Sequence, residues 1–231
     1  MFFILITLGV LPSLLWLALY LREDEHPEPS RLLLRVFLFG ALAAPLAAGV
    51  EFMLIDILDA LSLPLYLANI ILFIVVIGMT EEFMKYVAVR VTEEPSASFD
   101  EPADAMIYMI VAALGFAAVE NVLSVFSPYI ATTGDILEVL GLRFLSATLL
   151  HVLASALMGY FLAQKHFFYR RGQIIKGVVV AGILHGLYNI LTLESTDFER
   201  LGMTLLIVVL LAFMAIVVNV LFYKLKKRYL A

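Results

Sequence analysis

Seven long apolar segments, separated by short polar segments, make up almost the whole chain. Each apolar segment has close to the roughly 20 residues that an α-helix needs to cross the hydrocarbon core of a bilayer. The pattern therefore predicts seven transmembrane helices and leaves little chain for a separate soluble domain. The predicted spans are residues 1–21, 31–52, 64–90, 104–125, 140–164, 174–193 and 200–223.

Composition places the chain in the same class. Hydrophobic residues make up 63% of it, charged residues 15%, and the mean hydropathy is +1.02, values typical of an integral membrane protein. The absence of cysteine excludes disulfides, iron–sulfur clusters and thiol nucleophiles. The net charge of −5 is modest and no basic block suggests nucleic acid, so the expected surroundings are a lipid bilayer and no nucleic acid. The expected fold is an all-α, polytopic helical bundle over residues 1–231.

The distribution of basic residues predicts the orientation of this bundle. Thirteen of the 15 lysine and arginine residues fall on one side of the predicted membrane, and Arg143 and Arg200 are the exceptions. Because basic residues concentrate in cytoplasmic segments, the amino terminus is expected outside and the carboxyl terminus in the cytoplasm.

Charged residues interrupt the third span, in the stretch IGMTEEFMKYVAV over residues 77–89. Glu81 and Glu82 fall about 14 Å from the cytoplasmic end of the span at 1.5 Å of rise per residue, close to the membrane centre. An ionisable side chain there costs at least about 2.5–3.5 kcal/mol and usually faces the protein interior or a water-filled cavity. Lys85 follows at helical spacing, within reach of both glutamates.

The next three spans bring further polar groups to a similar depth. They are Glu120 and Asn121 in the fourth span, His151 and Ser155 in the fifth, and His185 and Asn189 in the sixth. Small residues recur every four positions around both histidines, which allows close helix approach. Any one of these groups is typical of an interhelix hydrogen bond, but three acids and two histidines on four helices predict a shared polar interior.

This set of side chains fits hydrolysis inside a membrane. Such a reaction requires a cavity that admits water, a base to activate the water and a donor or cation at the developing oxyanion. We expect Glu81 to be the general base, with Glu82, held by Lys85, in support. His185 and Asn189 are expected to polarise the scissile carbonyl.

Two mechanisms stay open at the level of sequence. In the first, Glu81, Glu120 and the histidines His151 and His185 supply the ligands of a divalent metal such as Zn²⁺, whose bound water becomes acidic. In the second, a glutamate activates the water without a metal and histidine stabilises charge. His151 and Glu120 are accordingly expected either to complete a metal site or to orient the water.

Four short motifs occur in order on successive helices: EEFMK fits E-E-x-x-K, FAAVEN fits F-x-x-x-E-N, HVLASALMG fits H-x-x-x-S-x-x-x-G, and HGLYN fits H-x-x-x-N. In this order they resemble the PrsW family of intramembrane proteases, distantly related to the prenyl-protein (CAAX) and bacteriocin-processing membrane proteases. The resemblance covers about residues 78–190.

The resemblance implies a membrane endopeptidase of the prokaryotic plasma membrane that cuts membrane-anchored proteins, for some members a single-span anti-sigma factor. The catalytic core is then the four helices of residues 64–193, whereas residues 1–60 hold two helices without diagnostic motifs and residues 196–231 the last helix and a basic tail. The positions that match family site residues are Glu81, Glu82, Glu120, His151 and His185, with Asn189 matching a residue that helps to hold the oxyanion in the prenyl-protease relatives. Those relatives have histidine at the position of Glu120, so a prenylated substrate is not expected.

Two alternatives come from other classes of protein. A proton- or cation-coupled transporter also carries glutamates and histidines through its helices, but the chain shows no inverted repeat and seven helices do not divide into halves. A noncatalytic membrane scaffold would retain only part of the site, whereas every expected polar position is filled here.

Overall fold

The computed structural model describes residues 2–20, 28–93, 99–126, 132–192 and 197–229. Nearly all of these residues are helical, and no strand occurs among them. The helices are α1 (Phe2–Tyr20), α2 (Ser30–Ala60), α3 (Leu65–Ile71), a π-helix (Leu72–Met79), α4 (Thr80–Glu93), α5 (Pro102–Val125), α6 (Thr133–Leu145), α7 (Ala147–His166), α8 (Gln173–Leu191) and α9 (Asp197–Tyr229). Within the described ranges, seven helical segments are long and apolar enough to cross a membrane, which confirms the predicted all-α bundle.

The second crossing is longer than the predicted span of residues 31–52. Helix α2 continues to Ala60 and ends where Ser62 adopts a left-handed φ of 49°. Between residue 52, where the predicted span ends, and Pro64 the chain has no proline or glycine, and the acidic residues in this stretch are compatible with helix geometry. This extension moves Glu51 from the predicted edge of the span into the body of the helix.

The third crossing contains an eight-residue π-helix directly before the glutamate pair. Glycines on both sides bring this segment against the backbone of α8. A Cβ atom added to Gly78 would lie 2.4 Å from the carbonyl oxygen of Gly182, and one added to Gly186 would lie 2.5 Å from the Cα of Ile74. Segments of π-helix are frequent at functional sites, and here the segment fixes how Glu81 faces α8.

The fifth crossing is broken, although the sequence predicts one span over residues 140–164. Helix α6 begins at Thr133, after Thr132 accepts a hydrogen bond from the backbone N–H of Asp135 at 3.2 Å. Ser146 then separates α6 from α7 with φ −124° and ψ −79°. The break lies just over one turn before His151 and leaves Arg143 on a separate short helix.

Helix α5 forms the centre of the bundle, packed against α1, α2 and α7. Its residues from Pro102 to Ala118 are almost all buried. A capping box starts the helix, since the carboxylate of Asp104 accepts the backbone N–H of Glu101 at 2.6 Å. The rigid core helix carries Glu120 and Asn121 at its far end.

Alanine at Gly78 is expected to destabilise the protein by about 1–3 kcal/mol, because the new methyl group would overlap the backbone of α8. The matched control is Gly49→Ala, since a Cβ at this exposed position of α2 would meet no atom within 4 Å. That change should be neutral or stabilise the helix by up to about 1 kcal/mol. Thermal unfolding of purified protein in detergent measures both, and equal unfolding midpoints would contradict the expected close packing.

Candidate active site

The glutamate pair and Lys85 form a buried ion-pair cluster at the start of α4. Lys85 Nζ donates to Glu82 Oε1 at 2.8 Å and to Glu81 Oε2 at 3.3 Å. Neither Lys85 nor Glu82 is exposed at all, and the ring of Phe116 lies 4.4 Å from the ammonium nitrogen. Three ionisable groups can share an apolar interior here because each negative charge contacts the same positive charge.

Glu82 has both carboxylate oxygens occupied by protein groups. Ser155 Oγ donates to Glu82 Oε2 at 2.7 Å, while Oε1 contacts Lys85 and lies 3.0 Å from His185 Nδ1. A carboxylate held in this way has little capacity left for a water molecule. The arrangement suits the support role expected of Glu82 and leaves Glu81 as the glutamate that faces open space.

The two histidines face Glu81 from α7 and α8. His151 Nδ1 lies 3.7 Å from Glu81 Oε2, and His185 Nε2 lies 3.6 Å from the same oxygen. One ligand atom from each of these three buried residues lies within 4.8 Å of the others. Carboxylate oxygen and imidazole nitrogen are the donors that hydrolytic Zn²⁺ sites use, so the donor set fits a divalent metal.

Each histidine directs its second nitrogen at another carboxylate. His151 Nε2 lies 2.9 Å from Glu120 Oε2, and His185 Nδ1 contacts Glu82 Oε1. Metal-binding histidines typically have such partners, which fix the ring and its tautomer. His151 Nδ1 also lies 2.8 Å from Lys85 Nζ. A metal ion bound to this nitrogen would therefore replace Lys85 as its partner, and Lys85 would keep its hydrogen bond to Glu82.

Glu120 stands apart from the three grouped residues. Its carboxylate binds Arg143 Nη2 at 2.9 Å as well as His151, and Arg143 Nε donates to Asn121 Oδ1 at 2.5 Å. Asn121 Nδ2 in turn donates to Thr148 Oγ1 at 3.1 Å. These bonds connect α5, α6 and α7 and hold Glu120 against the imidazole of His151.

A cavity of about 260 Å³ adjoins these residues and has room for several water molecules. Glu81, Glu120, His151 and His185 line it, and Asn189 lies on the same wall. The structure therefore places five of the six predicted catalytic residues around one space. Glu82, the sixth, lies behind this wall with Lys85 and Ser155.

Several residues at the cavity or site were not predicted from the sequence, among them Arg143, Tyr188 and Glu51. Arg143 entered only the count of basic residues, although an arginine inside a predicted span was itself a signal. Tyr188 lies between His185 and Asn189, where no pattern distinguished it from a packing residue. Glu51 falls at the end of the predicted second span, but it lies close enough to the site to interact electrostatically with Glu81, and its buried Oε1 has no hydrogen-bond partner among the described residues.

A helical membrane bundle that gathers a glutamate and two histidines beside a cavity with room for several water molecules defines a membrane-embedded hydrolase. The family model described as PrsW family intramembrane metalloprotease matches residues 28–220. The chain belongs to the PrsW family and is an intramembrane protease.

Several curated relatives carry the name Protease PrsW. The protein of Oceanobacillus iheyensis is 27% identical over 225 residues, covering 96% of this chain and 95% of the relative. The protein of Geobacillus kaustophilus is 30% identical over 205 residues, covering 87% and 83%, and that of Bacillus subtilis is 26% identical over 193 residues, covering 81% and 82%. No solved structure matches significantly.

These findings define the protein's setting and reaction class. The chain is an integral protein of a prokaryotic membrane, and its substrates are proteins. The transporter and scaffold alternatives are set aside, because the family is one of proteases.

Proposed function

We propose that the protein cuts a membrane-anchored protein with a single transmembrane span, such as an anti-sigma factor, using water activated by Glu81. The observation that carries this proposal is the convergence of Glu81, His151 and His185 on one wall of the cavity. Three different helices supply these side chains. Packing alone does not require such a meeting of ionisable groups in a membrane.

Glu81, His151 and His185 are the residues that would hold a divalent metal. A bound ion such as Zn²⁺ would act as a Lewis acid and lower the pKa of its water to about 7. The contacts that the structure gives Glu81 all involve Oε2, and no hydrogen bond to Oε1 occurs among the described residues. We assign Oε1 as the atom that accepts the proton of the attacking water.

The surrounding groups keep the two imidazoles in place. Glu82, fixed by Lys85 and Ser155, holds His185 through Nδ1. Glu120 holds His151 through Nε2. In this arrangement Glu120 positions a ligand, which narrows the expected metal set to the other three residues. Without a metal, the same contacts would orient His185 Nε2 toward developing charge.

Asn189 is suited to polarise the scissile carbonyl. It lies one turn after His185 on α8 and lines the cavity. Its side-chain amide makes no hydrogen bond within the described part of the chain, where only its backbone oxygen accepts one, from Thr192. A free amide donor beside the attacking water is the group that a developing oxyanion needs.

The proposed orientation places the amino terminus outside and the cavity in the outer half of the membrane. The support is that 12 of the 15 basic residues, with the buried Lys85 left out of the count, flank the opposite ends of the predicted spans. Arg143 marks the outer end of the cavity in this orientation. The proposed cut therefore falls in the outer half of the substrate's transmembrane segment or just beyond it.

Comparative membrane proteomics of cells that carry the wild type or Glu81→Gln tests this function. We expect an uncut single-span protein to accumulate in the variant, because loss of a general base lowers the rate by about 10²–10⁴-fold. Glu138→Gln is the matched control, since Glu138 is an exposed carboxylate of α6 outside the cavity. Identical cleavage by wild type and Glu81→Gln would contradict the site assignment. A single-span protein found in this way, fluorescently labelled and reconstituted with purified enzyme, is the reporter substrate used below.

A further inference from the structure

Arg143 reaches the cavity wall from α6, the short helix that ends at the break before α7. Its side chain is 23% exposed, whereas Asn121, which it contacts, is fully buried. An arginine within a membrane-spanning segment is costly unless its charge and its donors have partners. The partners that the structure provides account for only part of this guanidinium.

Two hydrogen bonds occupy one edge of the Arg143 guanidinium. Nε donates to Asn121 Oδ1 at 2.5 Å, and Nη2 donates to Glu120 Oε2 at 2.9 Å. A guanidinium is planar and carries five N–H donors in a fixed fork. Because Nε and Nη2 share the edge that faces α5, the adjoining edge, which holds both N–H groups of Nη1, is turned away from these two partners. No hydrogen bond from Nη1 occurs in the described part of the chain.

The ion pair with Glu120 determines which kind of group this free edge suits. Glu120 Oε2 lies 2.9 Å from Arg143 Nη2 and offsets its positive charge, so the free edge suits a neutral acceptor such as a carbonyl oxygen better than a second carboxylate. The imidazole of His151 lies between Glu120 and Glu81, because its Nε2 contacts Glu120 and its Nδ1 lies 3.7 Å from Glu81. Arg143 is therefore displaced along the cavity from the glutamate that activates the water.

A substrate segment presents free carbonyl oxygens once it is unwound. In an intact transmembrane helix every backbone group is bonded within the helix, and a group left unpaired in apolar surroundings is costly. Attack by water requires an accessible scissile carbonyl, so the helix must open there and expose neighbouring backbone groups as well. Successive residues of an extended strand are about 3.3 Å apart. A carbonyl one or two residues from the cut can thus reach a donor beside the reacting centre.

We propose that Arg143 is a substrate-binding residue, whose Nη1 donates to a backbone carbonyl oxygen of the unwound substrate, one or two residues from the scissile bond. This inference rests on the proposed protease reaction and assigns part of its substrate recognition. The contact is made to the backbone, so it favours an unwound segment over an intact helix and selects no particular side chain. No covalent bond changes at Arg143. Because the contact is the same before and during the reaction, it lowers KM and leaves kcat unchanged.

Arg143→Lys keeps a positive charge beside Glu120 but replaces the planar fork by a point charge. With the reporter substrate in proteoliposomes, we expect KM to rise by about 10-fold, as for loss of a hydrogen bond to a charged group. The value of kcat should stay within about threefold, and zinc content should equal that of the wild type. Arg171→Lys is the control, because Arg171 is an exposed arginine between α7 and α8, outside the cavity; it should retain the wild-type KM.

Glu120→Gln shows the result that a purely structural role would give. This variant weakens the contact that orients His151 through Nε2, and such a change lowers metal affinity or activity by about 10–100-fold. If Arg143 only held Glu120 in place, Arg143→Lys would likewise lower kcat and zinc content and leave KM unchanged. That result would overturn the proposal.

An ester scan of the substrate tests the carbonyl contact itself. Replacing one backbone amide of the reporter by an ester weakens that carbonyl as an acceptor and leaves every side chain unchanged. One ester position near the cut should raise KM for the wild type and have little further effect for Arg143→Lys, because two changes that remove the same contact are not additive. Effects on KM that add at every position would overturn the proposal.

The outcomes also distinguish this inference from the function on which it rests. Wild-type KM and kcat in Arg143→Lys, together with an inactive Glu81→Gln, would overturn the role of Arg143 and leave the protease reaction intact. Equal cleavage of the reporter by wild type and Glu81→Gln would overturn both.

Discussion

Lys85→Met is expected to destabilise the protein by about 3–5 kcal/mol, because removing one partner leaves a buried charge uncompensated. Lys85 is fully buried and contacts Glu82 at 2.8 Å and Glu81 at 3.3 Å. Methionine has a similar length and fills the space beside Phe116, so the lost volume is small. The expected loss therefore comes from the charge of Glu82, which is as deeply buried as Lys85.

Reversible unfolding in detergent micelles measures this loss. Lys165→Met is the matched control, since Lys165 is an exposed residue near the end of α7, and its replacement should change stability little. The double variant Glu82→Gln/Lys85→Met should recover part of the stability, because it removes the uncompensated charge together with its partner. Equal free energies of unfolding for Lys85→Met and Lys165→Met would show that the contacts of Lys85 with the two glutamates do not stabilise the protein.

The lengths of the apolar segments predicted the seven crossings, because a helix must contain about 20 mostly apolar residues to span a bilayer. The structure confirms seven such helical segments within its described ranges. The helix ends were less predictable. The predicted second span ends at residue 52, before Asp56 and Asp59, yet an acidic residue does not break a helix, and α2 ends only near the left-handed turn at Ser62. The break at Ser146 has no proline or glycine beside it in the sequence, so it follows from packing that local sequence does not specify.

Depth in the membrane predicted much of the candidate site. Counting 1.5 Å per residue put Glu81, His151 and His185 at one level, and the structure groups them. Depth does not give rotation about the helix axis or the approach of a neighbouring helix. For this reason the sequence did not reveal that Glu120 binds Arg143 and one imidazole nitrogen.

His185→Ala is expected to abolish both metal binding and cleavage. The change removes one of three grouped ligand atoms and also the contact to Glu82. Loss of a group that only orients a ligand costs about 10–100-fold in metal affinity or activity, so loss of a ligand should cost at least about 10²-fold. Metal content by mass spectrometry and cleavage of the reporter substrate measure the two effects. His166→Ala is the control, because His166 lies at the end of α7 outside this group.

Glu120→Gln gives a graded version of the same test. This variant keeps the three ligands but weakens the contact that orients His151 through Nε2, so the metal affinity should fall by about 10–100-fold while some cleavage remains. A metal mechanism therefore predicts that metal content and cleavage rate both decrease in the same order: highest in the wild type, lower in Glu120→Gln and lowest in His185→Ala. If wild-type protein without metal cleaves the reporter substrate fully and chelators do not inhibit it, the metal mechanism is wrong. The imidazoles would then act directly on developing charge, and Glu81 would activate the water alone.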